Sequence, residues 1–439
     1  MKNRLILSLV LALGFSFPVA QAAETDISKC KINASAGQTV SLGFPLRPER
    51  LAYKPNPKIL VIPYRLKDQA EFKLTDTFKS IFTGAGANVM KLSVGKNNPS
   101  FLFNKAIDIA LTADEMDAIK NNVNLTWKKD FQNSTWGFTS QVIKSLDNEI
   151  DFTGIDAVIL VSSSKKQNAE IAEAMEFSSN ILDPWFTPIK TNEGSIANVA
   201  LLYNRLDVNT LTHEMMHLYG LTDLYGSQNG PGNSLMMNIR GSMSLLSLEK
   251  WVLGWIPDSN VQCIFETDLT ATETANNSFA LDYSRGDQLL IIPTGNETAL
   301  AVDVVTVDKK TYLNYYSLDN EARPPIYNFF KSSFEGISLD LTGHSGVGTY
   351  LSSSKIGLMI TDNDGKKATL SVFPAKLFFS DSGKKLQNTA EANREKYIKL
   401  AEQEAAAALK KITITCTKGK LTKKVTDVKP VCPTGYTKK

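Results

Sequence analysis

Thr212 to Gly226 reads T-H-E-M-M-H-L-Y-G-L-T-D-L-Y-G, and no other stretch constrains the chain as tightly. On a helix, His213 and His217 lie four apart, project from one face and can share one metal ion. Glu214 sits between them, where a carboxylate reaches water at the metal without being a ligand. Gly220 can end that helix in a left-handed conformation, so that the chain doubles back and delivers Asp223 as an oxygen donor. Asp207 is a good N-cap, which predicts a helix from about Val208 to Tyr219. H-E-x-x-H alone recurs by chance in ordinary helices; the extension to H-E-x-x-H-x-x-G-x-x-D adds a turn glycine and a third donor. The chain has only 3 His, two of them here. That weighs against the alternative, an amphipathic helix with satisfied surface histidines. The expected cofactor is one zinc ion on His213, His217 and Asp223, since three protein donors mark a catalytic site and four a structural one.

These residues resemble the metzincin zinc peptidases, in particular the aspartate-liganded kind similar to immune inhibitor A. The resemblance implies a methionine turn beneath the metal, for which Asn233-Ser-Leu-Met-Met-Asn238 is the candidate, with Met236 as its methionine and Met237 next to it. Ser247 to Ile256 (S-L-E-K-W-V-L-G-W-I) resembles the helix ending in Leu-Gly-Trp that follows that turn. Asp151 to Val161 resembles the family's central strand and its approach. The likeness covers roughly residues 55 to 260. Thr222 stands where the family usually has Pro, and Gly226 where it often has Asp; neither is a ligand position. The resemblance also implies that the strand before the zinc helix, with Val199, Ala200 and Leu201, forms the cleft rim. An extended substrate would pair with its free edge.

Met1-Lys-Asn-Arg4, an apolar run from Leu5 to Phe17 and an A-x-A signal at Ala20 to Ala22 read as an export leader over residues 1–22. The run is too short to span a bilayer comfortably, and no later segment is apolar enough, so no transmembrane segment is expected. An exported chain, secreted or held at the cell surface, follows. Its formal charge of +3 falls to about +1 once Lys2 and Arg4 leave. Global charge therefore argues for no particular partner, nucleic acid included. An even 4 Cys in an exported chain favours disulfides. Cys416 and Cys432 are close in sequence and are expected to pair, leaving Cys30 with Cys263. The alternative is Cys30 as a thiolate capping the zinc.

The 439 residues divide into a lead-in at 23–57, polar and Pro-containing, and a catalytic α/β unit at 58–264. In the latter, Lys58 to Tyr64, Ala157 to Val161 and Ser195 to Tyr203 read as strands, and Phe138 to Ile150 as an amphipathic helix. Short strands dominate from about 265, at Gln288 to Ile292, Ala299 to Val307, Gly336 to Leu341, Lys355 to Ile360 and Lys367 to Phe373. They predict a β-sandwich accessory domain at 265–380. Asp362-Asn-Asp-Gly365 lacks the ligand series of a calcium loop and reads as a hairpin turn; calcium has no other support. His344 reads as a loop histidine. Residues 381–411, rich in Ala, Glu, Lys and Gln, read as a solvated helical spacer. Residues 412–439 read as a small hairpin stapled by its cysteines, whose lysines suit an anionic cell-surface polymer or simple solubility.

The implied activity is hydrolysis of a protein or peptide substrate by a zinc endopeptidase with Glu214 as general base, Tyr219 or Tyr225 being candidates at the oxyanion. Two rivals stay open. One is a cell-surface binding protein in which the sandwich and basic tail act and the zinc fold is structural; the other is a non-peptidase zinc hydrolase.

Overall fold

The computed structural model describes residues 26–34, 38–121, 133–162, 170–179, 184–224, 234–241, 243–270, 276–307, 310–320, 333–353 and 355–439. The leader at 1–22, Tyr225, Gly226 and Asn233 lie outside them.

The first sheet is built from β1 (Lys58–Leu66), β2 (Ser100–Phe103), β3 (Ile107–Ile109), β4 (Ala157–Ser162), β5 (Ile171–Glu176) and β8 (Asn198–Tyr203), with a small hairpin of β6 (Ile189–Lys190) and β7 (Ser195–Ile196) between the last two. Its order is β2-β1-β4-β8-β5, with β3 also on β1; all pairs are parallel except β5 with β8. Strands covered on both faces need continuous apolar runs, and Ile59-Leu-Val-Ile62 and Ala157-Val-Ile-Leu-Val161 supply them. Ile59, Val61, Ile159, Ala200 and Leu202 meet α1 (Asp76–Leu92) and the zinc-motif helix. Leu60, Ile62, Leu160, Val199 and Leu201 meet α2 (Ala113–Asn121) and α3 (Thr135–Ser145) on the other face. Three layers result, helices on both faces of a sheet.

This topology corrects the expectation for the cleft rim. β8 is not an edge: β4 pairs along one side and β5 along the other, so Val199, Ala200 and Leu201 are fully enclosed. The outer strand among the described residues is β5.

The described residues of 26–57 are packed into the fold rather than forming an extended lead-in. Cys30, Ile32, Leu42, Leu46 and Leu51 lie in the same core as the zinc-motif helix, and Arg50 is fully buried. Cys30 is bonded to Cys263, so it is not a zinc-capping thiolate. This bridge closes a loop of 233 residues. Replacing both cysteines by serine is expected to cost about 2–5 kcal/mol of stability, read as a lower urea midpoint. An unchanged midpoint would mean that packing alone fixes the segment.

After the zinc-motif helix α4 (Val208–Tyr219) come α5 (Ser247–Val252), β9 (Val261–Cys263) and α6 (Glu266–Thr270). Two further sheets follow, built from β10 (Asn277–Asp282), β11 (Gln288–Pro293), β12 (Thr298–Val307), β13 (Lys310–Asp319), β14 (Ser333–Asp340), β15 (Tyr350–Ser352), β16 (Ile356–Asn363) and β17 (Lys367–Pro374). Their orders are β14-β13-β12-β11-β9 and β10-β17-β16-β15. They face each other across Leu290, Ile292, Val302, Leu313, Leu358, Ile360, Leu370 and Val372, the arrangement of a sandwich. The outer face of the five-stranded sheet, through Leu289, Ile291, Ala301 and Tyr316, joins the core beneath α4 and α5. Strand alternation explains this: in Leu289-Leu-Ile-Ile292 successive side chains enter different cores. β16 and β17 join at the Asp364-Gly365 turn, a hairpin as expected.

α7 (Asp381–Ala408) is only partly a spacer. Its first half docks on the sandwich: Ala390 and Tyr397 are buried, Asn393 Nδ2 donates to Thr361 O at 2.9 Å, and Tyr397 OH donates to Asp362 at 2.7 Å. His344 stacks on Tyr397 with centroids 4.2 Å apart, so it has a structural role in its loop. Residues 398–408 are exposed. The last unit, β18 (Ile412–Lys418), β19 (Leu421–Asp427) and β20 (Thr437–Lys438), is a small sheet stapled by Cys416–Cys432. Among the described residues, no helix is long and apolar enough to cross a membrane.

Candidate metal centre

α4 begins and ends where its sequence dictates. Asp207 Oδ1 accepts from the backbone N–H groups of Asn209 and Thr210, each at 2.9 Å, satisfying donors the first turn leaves orphaned. Gly220 closes the helix at φ 118°, a region that side chains disfavour. A Cβ there would also lie 2.9 Å from Leu46 Cδ1, so that side chain would have to give way. Gly220 N and Leu221 N then donate to Met216 O, each at 3.1 Å, and the chain turns back along the helix.

That reversal brings Asp223 to the histidines. His213 Nε2 and His217 Nε2 are 3.2 Å apart, and each is 3.2 Å from Asp223 Oδ1. The three donors form an equilateral triangle. For tetrahedral zinc with ligands at about 2.0–2.1 Å, donors should stand about 3.3–3.4 Å apart, so this spacing fits. Among the described residues this is the only group of His, Cys, Asp or Glu so arranged. His213 Nδ1 lies 3.1 Å from Leu235 O, and His217 Nδ1 lies 2.8 Å from Leu221 O. A carbonyl only accepts, so in the neutral rings Nδ1 carries the proton and Nε2 offers its lone pair to a metal.

Charge around the donors is strongly coupled. Burial pushes the Asp223 carboxyl up, but the two imidazoles 3.2 Å from its Oδ1 override it and hold it well below the usual carboxylate range. Burial disfavours the His217 imidazolium, yet Asp223, Glu214 and Glu176 raise it to about 10. His213 is lowered, chiefly by burial. Glu214 is 4% exposed; burial pushes it up to about 7, with His217 pulling the other way. It is not one of the three donors, as the motif implied.

Met236 is fully buried in a tight turn: Met237 N and Asn238 N both donate to Ser234 O. The turn touches the three-donor cluster through Leu235 O on His213, and Met236 O accepts from Leu224 N, next to Asp223. Tyr219 does not serve an oxyanion. It points into the core, where its ring meets Trp255 at 5.5 Å, because a residue two positions past His217 faces the opposite side of the helix.

Two supports escaped the sequence reading. Glu249, fully buried in α5, accepts from Ser234 Oγ at 2.9 and 3.1 Å and from Leu246 N at 2.6 Å, so it grips the methionine turn. Asp303, on β12, accepts from Ser247 N at 2.6 Å and Asn314 Nδ2 at 2.7 Å, and so ties the sandwich to the start of the same helix. On the other side, Arg50 donates to Phe177 O, just past β5, and to Ala197 O, just before β8. Its charge acts on Glu176, which burial pushes up to about 6. A glutamate three residues into a helix was the one available signal for Glu249, and Leu246 as N-cap concealed it.

Neither protein-family models nor curated proteins match this chain.

Proposed function

We propose that this chain is an exported zinc-dependent endopeptidase of the aspartate-liganded metzincin type. The observation that carries the reading is the 3.2 Å triangle of His213 Nε2, His217 Nε2 and Asp223 Oδ1 with Glu214 on the same helix. His213, His217 and Asp223 would hold the ion, and zinc bound there would supply Lewis acidity toward a carbonyl and toward water. Glu214 accepts the proton of the attacking water and delivers it to the departing amine. Leu235 O and Leu221 O keep the two rings oriented, and the turn around Met236 supports them from below.

The substrate's place moves one strand outward from Val199-Ala-Leu201 to β5. That strand packs against α4 and has one side unpaired among the described residues, so an extended peptide can add to it by main-chain hydrogen bonds. The two disulfides suit the oxidising exterior implied by the leader.

The test is hydrolysis of an unfolded protein by the mature chain. We expect about one zinc per chain, loss of hydrolysis with a chelator and recovery on adding zinc. Hydrolysis that survives complete metal removal would end the proposal.

A further inference from the structure

The last 28 residues concentrate charge. Residues 412–439 hold seven lysines, one aspartate and no arginine or glutamate, whereas residues 23–411 hold 39 basic and 44 acidic residues. A unit of +6 therefore sits on a remainder of −5. All seven lysines are exposed, and none forms an ion pair within the described residues.

Strand register arranges three of them. Cys416, in the central strand, pairs with Lys423 of β19 on one side and Lys438 of β20 on the other. Direct partners share a face, and Lys418, two residues along β18, is on it too. Lys418, Lys423 and Lys438 therefore ring Cys416, about 7 Å apart along the strand and about 10 Å across the outer strands. The Cys416–Cys432 bridge fixes the strand at their centre. The opposite face is mostly threonine: Thr413, Thr415 and Thr417 of β18 beside Thr422, Thr426 and Thr437, with Lys424.

Like charges held this close repel one another, because their spacing is near the Debye length of about 8 Å at physiological ionic strength. Solubility alone needs no such array; mixed charges achieve it. A stapled sheet with several unpaired ammonium groups complements a chain whose own charges recur along its length. Of the apolar residues on this face, only Ile412 and Leu421 are largely exposed, at opposite ends of the hairpin; Ile414 is buried and Val425 half-buried between them, and Asp427 pairs with Ile412, so little apolar surface is offered to a bilayer. We infer that the face bearing Lys418, Lys423 and Lys438 binds a linear polyanion carrying phosphate or carboxylate groups, and so anchors the chain to it. The exposed stretch at 398–408 leaves the anchor a free approach.

The test uses the full mature chain carrying Glu214→Gln, which makes the result independent of peptidase activity. Binding to immobilised long-chain polyphosphate and to polygalacturonate is measured across a salt series, with phosphatidylglycerol vesicles as a parallel arm. The variant Lys418→Gln/Lys423→Gln/Lys438→Gln is expected to bind at least tenfold more weakly at low salt. The slope of log affinity against log salt should fall by about 2–3. Lys→Arg at the same positions should restore binding. Lys91→Gln/Lys385→Gln/Lys399→Gln, exposed positions elsewhere, removes the same charge and should bind like the parent. An equal loss in that control would reduce the effect to net charge and overturn the site. Binding to vesicles but to neither polymer, or no binding at all, would overturn the partner class.

Discussion

Glu214→Gln is expected to keep about one zinc per chain and to lower kcat by about 10²–10⁴. The two halves of that expectation have separate grounds. Zinc should stay because the three donors are His213, His217 and Asp223, with Glu214 outside the triangle. Turnover should fall because Glu214 is the only acid on α4; Glu176, the other buried acid that acts on His217, lies on the neighbouring strand β5. Glutamine has nearly the shape of glutamate, so the buried site stays filled, and KM should move far less than kcat. Zinc content, KM and kcat on one peptide decide the matter. A variant with full zinc and undiminished kcat would remove Glu214 from the chemistry. A variant that had lost its zinc would instead mean that the carboxylate helps to hold the site together.

What the sequence disclosed follows from how local each determinant is. The helix carrying His213 and His217 was legible to the residue, Asp207 to Gly220, because a cap and a turn glycine act within one or two turns. The pairing of Cys30 with Cys263 was also reached, by counting. The edge strand was not, because β5 reads I-A-E-A-M-E, and alanine and glutamate are poor strand formers. β5 is a strand because β8 offers it a partner, which is tertiary information. The lead-in was misjudged because polar and Pro residues dominate its composition. Its few apolar positions, Ile32, Leu42, Leu46 and Leu51, carry no period when the segment is irregular. In α7, Ala390 and Tyr397, seven apart, form a docking stripe too sparse to stand out among charges.

Glu249 was the least legible, since a buried glutamate and a surface glutamate look alike in S-L-E-K. It also yields the second large effect. Truncation to alanine would strand Leu246 N and the Ser234 hydroxyl in the core, at about 1–3 kcal/mol for each unsatisfied group. The loss should reach the metal as well. Ser234 Oγ also accepts from Met236 N, and the next residue along from Ser234, Leu235, orients His213. Groups that orient ligands typically contribute about 10–100-fold in metal affinity, and Glu249→Ala should lose an amount in that range. The isosteric Glu249→Gln separates charge from shape through pH. Burial, with Asp303 adding to it, pushes the Glu249 carboxyl from 4.5 up to about 8. Its folded value therefore lies above its unfolded one, and the folded state holds the extra proton between them. The contribution to stability is full below about pH 4.5 and is lost as the pH rises through about 8. Glutamine does not titrate, so the wild type's advantage over Glu249→Gln in Tm should shrink steadily from pH 5 to pH 8. A pH-independent difference would contradict the buried-acid account. A Glu249→Ala protein that is destabilised yet binds zinc as tightly as the parent would confine the residue to holding the fold, because the path from carboxylate to Ser234 to His213 would then transmit nothing.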